Sequence, residues 1–375
     1  MKVIVDSLIY QFQAHGGLSR LYNEILSRMC AMDASLQVTV LTSGRLRQPV
    51  PAHPRIFHQR LFPIDALLRP GRFWWAVSLQ ARAFLQRRWL GDAKGWLWHS
   101  TYYTLLEPWD GPRVVTIADM IHERLPHLFQ GAGHERFRKQ KRHCIVSADA
   151  LICISDTSRQ DAQQVYGIDA TRMHTIPLAH SSQFTRLGDV RHTLPPLVNK
   201  PFFLYIGDRQ HYKNFTGFLH AYSTWPGQKK VGVVVVGKNW TAQEKQMLAQ
   251  LGVADRVHLY QNLDDQHLCV LYNQAAAFIY PSLYEGFGIP LLEAMACGCP
   301  VIASRIPSTM EVAGEYPFYF QLSDQEGLAH ALDTTLVEGQ TSERMHYGLE
   351  RTKLYSWDNT ARQILGVYHT LQRAL

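Results

Sequence analysis

The chain has 375 residues, long for a single core and comfortable for two domains of ordinary size. Hydrophobic residues make up 46% and charged residues 18%, the balance of a folded globular protein. No window approaches the roughly 18–20 uncharged apolar residues that a membrane-spanning helix needs. The formal net charge of +7 favours anionic partners, but no zinc-finger spacing, RNP-type strand or basic repeat points to nucleic acid.

The chain opens on a short apolar strand, Val3–Val5, interrupted by Asp6, and shows no targeting segment. Gly16 and Gly17 follow, a loop able to approach a ligand closely. Leu18, Leu21, Tyr22, Ile25, Leu26 and Met29 then share one helical face. Further strands are expected at Val38–Leu41, Trp96–Trp98, Val114–Ile117, Leu151–Ile154 and Met173–Ile176. Asp119 sits at the end of the Val114–Ile117 strand. Ser158 and Asp161 read as a capping-box start for a helix that Gly167 ends. Between Ala66 and Gly91 no acidic residue occurs, and Arg69, Arg72, Arg82, Arg87 and Arg88 intermix with Phe73, Trp74, Trp75, Phe84 and Trp89. Arg136 to Arg142 adds a second basic cluster. This composition suits weak contact with an anionic membrane surface, and equally a core-packed helix with solvated arginines.

A looser segment, Ala179 to Lys200, contains Pro195-Pro196 and reads as a linker. The second half repeats the rhythm with strands at Phe202–Ile206, Val231–Val236, Val257–Leu259, Phe278–Tyr280, Val301–Ala303 and Phe318–Phe320. Strand and helix alternating throughout imply parallel sheets covered on both faces. The expected organisation is therefore α/β, with two doubly wound Rossmann-like domains facing a central cleft. The bounds are 1–180 and 201–356, with a linker at 181–200 and a last helix at 357–375. The six cysteines, mostly within apolar runs, have no metal-ligand spacing and read as reduced core residues of a cytoplasmic protein. That includes Cys297 and Cys299.

The most informative segment is Tyr284 to Pro300. An apolar strand, Ala277 to Tyr280, precedes a turn built on Gly286 and Gly288. Pro290 suits the first position of a helix, and Gly298 stops it. Glu285 and Glu293 bracket the turn. The N–H groups of Ile289, Leu291 and Leu292 are then expected to face an anion such as phosphate. Arg209 and Lys213, just beyond the first strand of the second domain, supply fixed cations. Such cations stabilise charge growing on a leaving phosphate more than charge in the ground state. No Asp-x-Asp pair occurs in the chain, so no metal or other cofactor is expected.

Glu285 and Glu293 with the intervening residues resemble the paired-glutamate signature of retaining glycosyltransferases of the GT-B fold, family 4. The resemblance continues through Ala294-Met295-Ala296-Cys297-Gly298 to Glu311. It includes Gly207-Asp208-Arg209 with Tyr212-Lys213-Asn214, similar to the donor-phosphate block of mannosyl- and glucosyltransferases, and more loosely Gly16-Gly17-Leu18-Ser19-Arg20. It implies that Glu293 holds the ribose and Glu285 the donor sugar near its reacting carbon. The backbone of Gly286, Phe287 and Gly288 would contact sugar hydroxyls. It also implies front-face, retaining, metal-independent transfer, with the last helix crossing back to the first domain. The partners it implies are a nucleoside diphosphate hexose, UDP-glucose or GDP-mannose, and a glycan or lipid-linked acceptor in surface-polysaccharide assembly. Relatives place a histidine before the residue equivalent to Asp119. Here that residue is Ala118, and His122 is the candidate substitute. Ser155 and Ser158 match a cleft-lining segment, or serve as helix caps. A GT-B sugar-nucleotide epimerase and a non-catalytic nucleotide-sugar-binding protein are the rival readings.

Overall fold

The computed structural model describes residues 1–13, 16–42, 45–60, 95–106, 109–188, 201–209, 211–322, 324–339 and 341–374. The basic aromatic segment Arg69–Trp89 and linker residues 189–200 lie outside them. The chain divides into two compact units. The first comprises Met1–Leu178 and Trp357–Leu375, and the second comprises Ala179–Ser356.

In the first unit seven parallel strands form one sheet: β1 (Lys2–Asp6), β2 (Gln37–Thr42), β3 (Ile56–Arg60), β4 (Leu97–Ser100), β5 (Arg113–Ile117), β6 (Ala150–Cys153) and β7 (Met173–Thr175). Their order is β3-β2-β1-β4-β5-β6-β7, with Val3 opposite Val38 on one side of β1 and Leu97 on the other. The sequence reading missed β3. Its residues, Ile-Phe-His-Gln-Arg, form no apolar run, and Phe57 is exposed on this edge strand.

After β1 come α1 (Leu8–Phe12) and α2 (Gly17–Met32), whose predicted apolar face is buried as a unit. Later helices are α3 (Ile121–Arg124), α4 (Ala132–Val146) and α5 (Asp156–Tyr166). The capping of α5 differs from expectation. Ser155 is the N-cap, its hydroxyl accepting from the Ser158 N–H at 2.9 Å, while the Ser158 hydroxyl donates to the Ala118 carbonyl. Gly167 ends the helix in the left-handed conformation, φ 65°.

The second unit holds β8 (Phe202–Ile206), β9 (Gly232–Val236), β10 (Val257–Tyr260), β11 (Ala277–Tyr280), β12 (Val301–Ser304) and β13 (Phe318–Phe320). Their order is β10-β9-β8-β11-β12-β13, again all parallel. Strands such as Gly-Val-Val-Val-Val of β9 are buried throughout, as expected for a sheet covered on both faces. The helices are α6 (Phe215–Thr224), α7 (Ala242–Gln250), α8 (Asp265–Gln274), α9 (Ile289–Ala296), α10 (Pro307–Ala313), α11 (Gln325–Glu338) and α12 (Ser342–Thr352). The final helix, α13 (Trp357–Arg373), belongs to the first unit.

A buried polar chain attaches α13 to that unit. His99, at the centre of the first sheet and fully buried, has Nδ1 2.5 Å from the Tyr368 hydroxyl and Nε2 2.8 Å from the Thr116 hydroxyl. Tyr22 of α2 donates to Thr116 at 2.9 Å. The Thr360 hydroxyl reaches the Pro177 carbonyl, and Arg28 pairs with Asp358 at the surface. Burial holds the His99 pKa down to about 3, so the folded state keeps the ring neutral. The unfolded chain, titrating near 6.5, binds the extra proton first, so this contribution to stability is complete above about pH 6.5 and is lost as pH falls towards 3. The stability advantage of wild type over His99→Gln, measured by urea unfolding, should therefore shrink steadily from pH 7 to pH 5.

Candidate active site

In the second sheet, strand order reverses direction between β8 and β11. Such a switch point opens a crevice at the carboxyl ends of the two strands, where α/β proteins bind ligands. The residues after both strands converge there.

The turn after β8 begins at Gly207, whose φ of +126° strains any side-chain-bearing residue. Arg209 follows. Its side chain is only 5% exposed, and its Nε and Nη2 donate to Glu244 at 2.6 and 3.2 Å. Nη2 also donates to the carbonyls of Lys238 and Asn239, and the guanidinium lies 4.5 Å over the Trp240 ring. One edge of Arg209, expected with Lys213 to face a phosphate, is thus committed to a carboxylate. A short 3₁₀ turn, His211–Lys213, leads to Asn214, which takes a left-handed conformation (φ 51°) that asparagine tolerates well.

Lys213 meets the loop after β11. Its Nζ lies 2.6 Å from Glu285 Oε1, with side chains 21% and 11% exposed. The Ser282 hydroxyl donates to the same oxygen at 2.5 Å, and the Leu283 N–H donates to the Tyr212 carbonyl at 2.7 Å, joining the two loops. Burial, and then the neighbouring Glu285 carboxylate, raise the Tyr280 hydroxyl's pKa well above its ordinary value, so it stays protonated and bonds Glu285 as well.

Gly288, at φ +124°, caps α9 with Pro290 in its first turn. A Cβ on Gly288 would sit 2.9 Å from Leu291 Cδ1. Leu291 corrects one expectation. Its N–H donates to the Gly288 carbonyl at 3.0 Å, so of the three amides Leu291 is already engaged. Leu292 is fully buried, Ile289 nearly so, and Phe287 packs against Tyr355, so these residues can offer backbone rather than side chain. Glu293, 5% exposed, accepts from the Tyr272 hydroxyl at 3.1 Å. Gly286 completes the turn between the two glutamates.

In the first unit, Asp119 follows β5 and is 37% exposed. It accepts from the Ile121 N–H at 3.1 Å and lies 3.8 Å from Lys141 Nζ. Lys141 is fully buried and pairs with Glu123 at 2.8 Å. It therefore leaves the surface basic cluster assigned from sequence, where Arg136, Lys139 and Arg142 remain exposed. The missed signal is helical spacing, since Phe137, Lys141, Cys144 and Ile145 share one face. His122 is half-buried, its ring 4.3 Å from Phe129 and 4.8 Å from Phe137. Gly16 precedes α2, whose first residue is Gly17, and the Gly16 carbonyl accepts from the Ser19 hydroxyl.

Residues 15–180 match the family described as Glycosyltransferase Family 4, and residues 191–351 match Glycosyl transferases group 1. The chain belongs to the family 4 type of glycosyltransferases with the GT-B fold. It is 29% identical over 316 residues to the O-antigen chain mannosyltransferase B of Escherichia coli, covering 81% of this chain and 79% of that one. Sucrose-phosphate synthase from Thermosynechococcus elongatus shares its fold at a TM-score of 0.80 and 20% identity, over all of both chains. Anabaena HepE in complex with UDP-glucose does so at 0.73 and 15%, over 99% of this chain and all of that one.

Because Lys213 is already held by Glu285, an incoming anion competes for its ammonium. Glu285→Gln should bind inorganic pyrophosphate or a nucleoside diphosphate about fivefold more tightly, the effect of releasing a pair worth roughly 1 kcal/mol. Titration calorimetry checks the direction. Unchanged or weaker binding would mean that the pair does not limit anion access.

Proposed function

We propose that the protein is a retaining, metal-independent hexosyltransferase. It moves mannose or glucose from GDP-mannose or UDP-glucose to a glycan or lipid-linked oligosaccharide acceptor in surface-polysaccharide assembly, on the cytoplasmic side of the membrane. The observation that carries this reading is the Lys213–Glu285 pair at the β8/β11 switch point, beside a glycine-capped helix. The donor's diphosphate would take the Lys213 ammonium, and sugar hydroxyls would take the Glu285 carboxylate so released. The first exchange preserves charge pairing, and the second replaces an ion pair with charge-assisted hydrogen bonds from neutral hydroxyls. Similarity to a mannosyltransferase supports a hexose donor.

As the glycosidic bond breaks, charge grows on the leaving phosphate oxygen. Lys213 and Arg209 would stabilise that charge, and the phosphate would accept the acceptor's proton. Asp119 would orient the acceptor or donor sugar. Glu293 would hold ribose hydroxyls, which change little during the reaction. Weak contact with an anionic membrane rests on exposed Arg136, Lys139 and Arg142 of α4. Flotation with anionic vesicles should show salt-sensitive binding that neutral vesicles lack.

The first test is a thermal-shift screen with UDP, GDP, ADP and their sugars, since a ligand stabilises by mass action. One diphosphate family should raise the melting temperature, and turnover of its hexose donor should persist in excess EDTA. Complete loss of turnover that Mg²⁺ or Mn²⁺ restores would defeat metal independence. Glu293→Ala should raise KM more than it lowers kcat, whereas Lys213→Ala should lower kcat by roughly 10²–10³.

A further inference from the structure

Arg209 has two edges, and they face different surroundings. The Nε/Nη2 edge is fully engaged by Glu244 and by the carbonyls of Lys238 and Asn239. Nη1, on the other edge, is buried and has no hydrogen-bond partner among the described residues. It lies over Gly237, where a Cβ would stand 3.0 Å from it and 2.7 Å from the Gly207 carbonyl oxygen. The space around Nη1 therefore depends on glycine at the end of β9.

Buried guanidinium N–H groups without an acceptor are costly, and their presence calls for an explanation. Here the location supplies one. The orphaned donors lie at the carboxyl ends of β8 and β9, on the same loop as Lys213. We infer that Glu244 is a positioning residue: it clamps Arg209 by its Nε/Nη2 edge against Trp240, so that the Nη1 edge is presented to a phosphate oxygen of the donor. This rests on the donor being a nucleoside diphosphate sugar.

Glu244 was hidden in the sequence because it also completes a capping box. Its Oε2 accepts from the Thr241 N–H at 2.7 Å, while the Thr241 hydroxyl accepts from the Glu244 N–H at 3.2 Å, at the start of α7. Burial pushes the Glu244 carboxyl up, but hydrogen bonds from Arg209 and Thr241 outweigh it and hold the group below the usual glutamate range. The carboxylate thus stays ionised at neutral pH and serves both partners.

The two roles separate by mutation. Glu244→Gln keeps an acceptor for Thr241, since glutamine also completes a capping box, but it cannot receive both Arg209 donors. Thr241→Ala removes the cap and leaves the clamp. The experiment is calorimetric affinity for UDP, GDP and inorganic pyrophosphate, together with melting temperature, for the full-length wild type and both variants. Glu244→Gln should melt like wild type yet bind the preferred nucleoside diphosphate roughly tenfold more weakly, as loss of one oriented charge-assisted contact implies. Thr241→Ala should melt earlier and bind unchanged. Unaltered binding by Glu244→Gln would overturn the positioning role and leave only the cap. Tighter binding would also overturn it, because Glu244 would then be a competitor for Arg209. A wild-type protein that binds no nucleoside diphosphate would instead overturn the proposed function, and this inference with it.

Discussion

In a parallel sheet every strand ends at the same edge, and both sheets of this protein obey the same order around their first strand. The edge at the first-to-fourth strand boundary therefore has to be completed by whatever side chains the loops provide. The first unit closes it permanently. Asp6, at the end of β1, accepts from the N–H groups of Leu8 and Thr101 and from the hydroxyls of Thr101 and Thr104. These partners are all neutral groups, and the carboxylate is buried. The second unit closes the equivalent edge with an ion pair, Lys213–Glu285, drawn from loops 72 residues apart in sequence. A pair of opposite charges can be exchanged for a ligand bearing both an anion and hydroxyls, whereas a saturated carboxylate offers nothing to exchange.

The same economy explains why both cations of this site are held by carboxylates. An isolated buried guanidinium or ammonium would be expensive to desolvate. Arg209 and Lys213 avoid this with Glu244 and Glu285, but in different ways. Arg209 gives its partner one edge and keeps the other. Lys213, a point charge, has no second edge and gives its partner the same ammonium that a ligand would need. One cation is oriented by its carboxylate, and the other is occupied by it.

Much of this was legible in the sequence. Apolar runs such as Phe202–Ile206 and Phe318–Phe320 mark strands because they are buried on both faces, and Gly-Phe-Gly-Ile-Pro marks the turn because only glycine accepts the backbone geometry at Gly288. The illegible parts share a cause: a residue's second role is invisible when its first accounts for the pattern. Thr241 and Glu244 complete a capping box, a helix-start pattern that accounts for both residues. Lys141 read as surface charge although its helical neighbours are core. The 2.6 Å contact of Lys213 with Glu285 depends on β8 and β11 being adjacent, which is a property of topology and not of local sequence.

The attachment of α13 by Tyr368 and His99 bears on the order of events at the ribosome. The second unit is one continuous stretch of chain and can close as soon as it has emerged. The first unit cannot, because a helix that covers its sheet is made after the second unit. Until then the half-formed polar chain of Tyr22, His99 and Thr116 waits without its fourth member. The first unit, begun before the second, is therefore completed after it, and the contact that finishes it spans 269 residues.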